Sequence, residues 1–152
     1  MRSKVILTLA VSIFALTLAA VPHHAAAQSP FAASTETQFL TLPQGGLGTI
    51  NAIELPKAGT YVITGQQDFI GYPSSAETPV LCYMTTQPGS ATALPTGPYS
   101  MSTIEPPGGY VTIPLNGYYT AASAMTLWLE CRYWGQQQVS TFYGTLTATE
   151  VK

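Results

Sequence analysis

Downstream of residue 27 the chain alternates between short runs rich in Thr, Tyr, Val and Ile and clusters of Pro, Gly and Asn, with a turn every 8 to 15 residues. The runs are Thr37 to Leu42, Gly48 to Leu55, Thr60 to Phe69, Pro79 to Thr85, Tyr99 to Ile104, Tyr110 to Leu115, Ala124 to Trp134 and Val139 to Val151. Between them stand Pro43-Gln44-Gly45-Gly46, Pro56-Lys57-Ala58-Gly59, Pro106-Pro107-Gly108-Gly109 and Asn116-Gly117, each a turn signal. No helix-length window carries apolar residues at i, i+3, i+4 and i+7. The pattern predicts an all-β fold: a single antiparallel β-sandwich, jelly-roll-like, of about eight strands.

Period-two alternation assigns faces within these runs. In the run ending at Trp134, Met125, Leu127, Leu129, Cys131 and Tyr133 share one side, and Thr126, Trp128, Glu130, Arg132 and Trp134 share the other. Val80, Cys82 and Met84 form a second inward row, opposite Leu81 and Tyr83, and Val111, Ile113 and Leu115 form a third. Pro114 cannot donate to a ladder, so its strand is expected at a sheet edge or at a bulge.

The first 27 residues differ from everything after them. Arg2 and Lys4 precede the apolar run Val5 to Val21, Pro22 ends it, and Ala25-Ala26-Ala27 offers small residues to a signal peptidase. The expectation is export to the periplasm or the extracellular space, with an uncleaved anchor as the alternative and no membrane span after cleavage. The domain organisation then reads 1–27 signal peptide, 28–35 loose lead-in and 36–152 β-sandwich. Export places Cys82 and Cys131 in an oxidising compartment, where the pair is expected to close as a structural disulfide.

Cleavage changes the chemistry available. Both histidines, His23 and His24, leave with the leader, and seven acids face the three bases Lys57, Arg132 and Lys152. The usual general base and commonest metal ligand are then missing, and a weakly negative surface does not favour nucleic acid. The acids Glu36, Glu54, Asp68, Glu77, Glu105, Glu130 and Glu150 form no cluster in sequence. No nucleophile elbow, phosphate loop or metal-ligand spacing is present. The reading is therefore not an enzyme, with no cofactor and no metal.

One side of one strand concentrates recognition chemistry. Trp128, Glu130, Arg132 and Trp134 are the candidate ligand-binding residues, with the two tryptophans about 20 Å apart at roughly 3.3 Å per residue. Aromatic faces suit sugar rings, and Glu and Arg suit their hydroxyls. The competing reading buries this face under a neighbouring loop or subunit, with Glu130 and Arg132 as a same-face pair.

The run Leu55-Pro56-Lys57-Ala58-Gly59-Thr60-Tyr61-Val62-Ile63-Thr64 resembles the early strand of complement-type and tumour-necrosis-factor-like jelly-roll heads. Val80 to Met84, Val111 to Leu115 and Tyr143-Gly144-Thr145-Leu146 follow in a similar order. The chain is also similar to small exported bacterial β-sandwich proteins with a Leu-Pro-x-x-Gly-x-Tyr start and a cysteine pair. The resemblance implies a non-enzymatic binding module that assembles as a homo-oligomer, a trimer in those heads, although the collagen-like stalk and acidic calcium cluster found among such heads are missing. The function expected is binding or assembly, the partner being an unknown protein or a glycan. A glycan-binding module and a surface-fibre subunit, the latter with a missing strand, are the alternatives.

Overall fold

A computed structural model describes residues 32–36, 39–135 and 138–151. The expected signal peptide, 1–27, lies outside the described residues. Nine strands follow in order: β1 (Ala32–Glu36), β2 (Leu40–Thr41), β3 (Gly48–Leu55), β4 (Gly59–Gly71), β5 (Thr78–Thr85), β6 (Tyr99–Ile104), β7 (Gly109–Ala121), β8 (Met125–Tyr133) and β9 (Val139–Val151). They form two antiparallel sheets. One has five strands, ordered β1-β9-β4-β7 with the two-residue β2 also on β9; the other has four, ordered β3-β8-β5-β6. With β2 set aside, these eight strands in two four-strand orders make a jelly roll.

The inner faces meet as alternation requires. Tyr61, Ile63 and Phe69 of β4, Ile113 and Leu115 of β7, and Leu146 and Ala148 of β9 pack against Ile53, Val80, Met84, Leu127, Leu129 and Tyr133 of the other sheet. Cys82 and Cys131 stand directly opposite each other on β5 and β8, fully buried, with Cα atoms 4.2 Å apart, and are joined as a disulfide. Pro114 lies on β7, an edge strand, where its missing donor breaks no second ladder.

Three expectations need correction. The segment 28–35 was expected as a loose lead-in, but Ala32–Glu36 pairs with Thr145–Thr149 of β9 and forms the outer strand of the five-stranded sheet. Strand addition of this kind runs through the backbone, so small polar residues give no hydrophobic signal of it. The run Thr37 to Leu42 contributes only Leu40–Thr41 as strand among the described residues. Asn116-Gly117 is not a turn: β7 passes straight through it, with Gly117 opposite Ile63. A Cβ on Gly117 would stand 2.4 Å from the Pro98 nitrogen. The glycine serves close approach of a crossing loop, which a dipeptide turn signal cannot distinguish.

Candidate functional site

The loop between β5 and β6, Gln87 to Pro98, folds back onto the outer face of the four-stranded sheet and determines what that face exposes. Two hydrogen bonds at the base of the loop, Leu94 N to Met84 O at 2.9 Å and Met84 N to Pro98 O at 3.1 Å, continue the edge of β5. Thr96 and Tyr118 then bond reciprocally, tying the loop to β7. Nearer the sheet, the Tyr83 hydroxyl donates to Ser90 O at 3.1 Å. Burial pushes the Tyr83 phenol above its ordinary range while the nearby Arg132 pulls it back, so it stays a donor at neutral pH.

Beneath this loop Glu130 is fully buried. Its Oε1 accepts the Thr49 hydroxyl at 2.6 Å from β3 and the Gly89 backbone N–H at 2.8 Å from the loop. Glu130 is thus a tie between two strands and the loop above them. Its Oε2, and Nε of Arg132, are buried without a hydrogen-bond partner. Among the described residues the ion pair present is Lys57 with Glu150 at 2.9 Å, so Glu130 and Arg132 share a face without forming one.

The four sequence-predicted residues therefore separate. Glu130 lies under the loop and contributes no surface contact, as in the reading that covered this face with a neighbouring loop. Trp128 is half-buried in the row Ala52–Trp128–Thr85. Arg132 and Trp134 stay together at the open end, with the guanidinium carbon 4.4 Å from the Trp134 ring centroid. That stacking contributes about 0.5–1 kcal/mol at an exposed site. Register places Leu81 and then Met101 beside Arg132, and Tyr83 and then Tyr99 beside Glu130. Trp134, Met101 and Tyr99 are 41%, 61% and 63% exposed, whereas Leu81 and Tyr83 between them on β5 are buried, so exposed aromatic and apolar side chains flank β5 from the end of β8 and from β6, with Arg132 among them.

Sequence reasoning missed a second surface, on the five-stranded sheet. The register of β9 against β4 slips between Asp68 and Phe69: Asp68 faces Tyr143 while Phe69 faces Thr141, which leaves Phe142 as an extra residue. This β-bulge turns both Phe142 and Tyr143 outward. Inside the sandwich the buried Gln67 supports it, donating Nε2 to Tyr143 O at 2.7 Å and to the Thr141 hydroxyl. Tyr110 of β7 meets Phe142 edge-to-face, with centroids 5.5 Å apart and ring planes at 81°. The signal in the sequence was a broken alternation. Val139 and Thr141 point inward at odd numbers, Leu146 and Ala148 at even ones.

Among the described residues no group of three or more His, Cys, Asp or Glu side chains gathers as a metal site. No helix among them is long and apolar enough to cross a membrane. No family profile and no curated protein matches the sequence. Solved structures do match in fold. The structure of infectious bursal disease virus Gx strain aligns with a TM-score of 0.50 and 14% identity, over 80% of this chain and 32% of that one. The VP2 subviral particle of infectious bursal disease virus aligns at 0.49 and 12%, over 80% and 33%. The chain thus spans about a third of the length of the viral chains it matches. What holds of the sequence resemblance is the jelly-roll fold, seen in the strand order and in the likeness to the Gx strain structure; the complement-type, tumour-necrosis-factor-like and bacterial parts of it are not shown.

Proposed function

We propose that this chain is an exported, non-catalytic jelly-roll domain that acts by binding or assembly through the open end of its four-stranded sheet. The observation that carries the reading is the set of Trp134, Arg132, Met101 and Tyr99, brought to one face by the end of β8 and by β6, with Trp134, Met101 and Tyr99 exposed and Arg132 half-exposed. Exposed Trp, Tyr, Met and Arg are the residue types that dominate recognition surfaces. Three of the seven acids are engaged elsewhere: Glu130 ties the loop, Glu150 pairs with Lys57, and Asp68 accepts the Thr112 hydroxyl. The closed Cys82–Cys131 pair fits residence in the periplasm or outside the cell.

The partner is a second copy of the chain or a neutral glycan. The fibre-subunit alternative has less support, because among the described residues each sheet carries four strands in the jelly-roll order without a gap between them. Trp134→Lys provides the test, since it puts a hydrated charge at the Trp134 end of this set without touching the core. Wild-type protein is expected to form an oligomer by light scattering or to be retarded in gels containing neutral polysaccharide. The variant is expected to lose either behaviour by thirtyfold or more, the scale of a hot-spot residue. Equal behaviour of variant and wild type would reject this set as the contact surface.

A further inference from the structure

We infer a second recognition surface, independent of the first and on the opposite sheet: the bulge-built platform of Tyr110, Phe142 and Tyr143, with Asp68 beside it, binds a neutral oligosaccharide. The platform is a constructed feature. Placing two consecutive aromatics on one outer face requires the extra residue in β9, a buried glutamine to satisfy the displaced backbone, and a glycine at 144 to leave room for that glutamine. The edge-to-face contact with Phe142 holds the Tyr110 ring, which is 74% exposed, in a defined orientation.

The chemistry around the rings selects the ligand class. Tyr143 stands opposite Asp68, and Asp68 opposite Thr112, in one row across β9, β4 and β7; the Thr112 hydroxyl donates to Asp68 Oδ1 at 2.6 Å. Half-buried Ile70 lies opposite Tyr110 and extends the rings on one side; in the other direction the same outer face carries Gln66, Thr64, Thr145 and Thr147 with Pro114 among them, so amides and hydroxyls border the aromatic cluster there. A protein interface core continues as an apolar patch; small aromatic faces set among hydroxyls, amides and one carboxylate match the alternating C–H and O–H surfaces of a sugar. Charge excludes anionic ligands. Among the described residues the platform holds a carboxylate and no cation, since Lys57 pairs with Glu150 at the far end of β4 and Arg132 lies on the other sheet.

Saturation-transfer NMR on the purified protein with maltohexaose, cellohexaose, xylohexaose and mannohexaose tests the inference. Transfer is expected to at least one of the four. Tyr110→Ala and Tyr143→Ala, both at exposed positions, are each expected to weaken that binding tenfold or more with the thermal midpoint retained. Glu54→Ala, an exposed position on the opposite sheet outside both surfaces, is expected to leave it unchanged. Absence of transfer to all four would overturn the inference, as would transfer that survives both tyrosine variants. Loss in Trp134→Ala alone would move glycan binding to the four-stranded sheet, and equal binding of an acidic polyuronate would overturn the neutral class.

Discussion

Replacing Cys82 and Cys131 together with alanine is expected to lower stability by about 4 kcal/mol, the largest effect of any substitution considered for this chain. The two residues are separated by 49 positions, and the cross-link removes the freedom of that loop from the unfolded ensemble. Its folded-state geometry favours the full effect: the cysteines face each other in register on adjacent strands and are fully buried. Domains of this size are stable by about 5–15 kcal/mol in total, so the variant should retain only a modest margin. Urea unfolding of the oxidised wild type and the double variant checks this. The midpoint should fall by roughly 2 M for an ordinary slope of about 1–3 kcal/mol/M. A loss below about 1 kcal/mol would mean that the staple constrains little.

Gly144→Ala is expected to destabilise the domain by about 3 kcal/mol, because overpacking and a broken buried hydrogen bond each contribute on the order of 1–3 kcal/mol. A Cβ at position 144 would stand 1.9 Å from Gln67 Oε1. Gln67 is fully buried and bonded to Tyr143 O and to the Thr141 hydroxyl, so its amide cannot swing aside without giving up those bonds in the core. Coupling distinguishes this mechanism from a general loss of strand propensity. Gln67→Ala vacates the space that the new methyl needs, so the double variant should cost clearly less than the two single variants added together. Thermal unfolding of the four proteins measures the cycle; strict additivity would show that glycine and glutamine do not act as a unit.

Much of the architecture was legible because most strands bury one face and expose the other. Alternation in β5 and β8 put Cys82 and Cys131 on the same inward side, and their direct pairing follows from that parity. Pro114 marked an edge for a reason that lies wholly in the residue, its missing N–H. Features that depend on one piece of backbone meeting another were not legible. β1 is added through main-chain bonds that the alternation of side chains does not encode. Glu130 looked like a surface carboxylate on an outward face. Alternation records which way a side chain points, and it carries no trace of a loop folding back to cover that side with Gly89 N–H and Ser90 O. Gly117 misread as a turn has the same origin, since the Pro98 backbone crosses it from a distant part of the sequence. The bulge at Phe142 left a trace in the switch from odd to even inward positions. In a strand of threonines and aromatics, however, that switch is easily taken for ordinary variation.

Of the two tryptophans of the chain, Trp134 lies exposed in the proposed contact surface and Trp128 is half-buried outside it, so a change in intrinsic fluorescence on contact reports on Trp134. The decisive measurement is the tryptophan emission maximum of the purified protein, first as its concentration is raised from nanomolar to high micromolar and then during titration with neutral polysaccharides. Contact through this face predicts a blue shift in one of the two series, as Trp134 leaves water, and its disappearance in Met101→Lys. An emission maximum that stays constant through both series would contradict the proposal that the domain works through the open end of its four-stranded sheet.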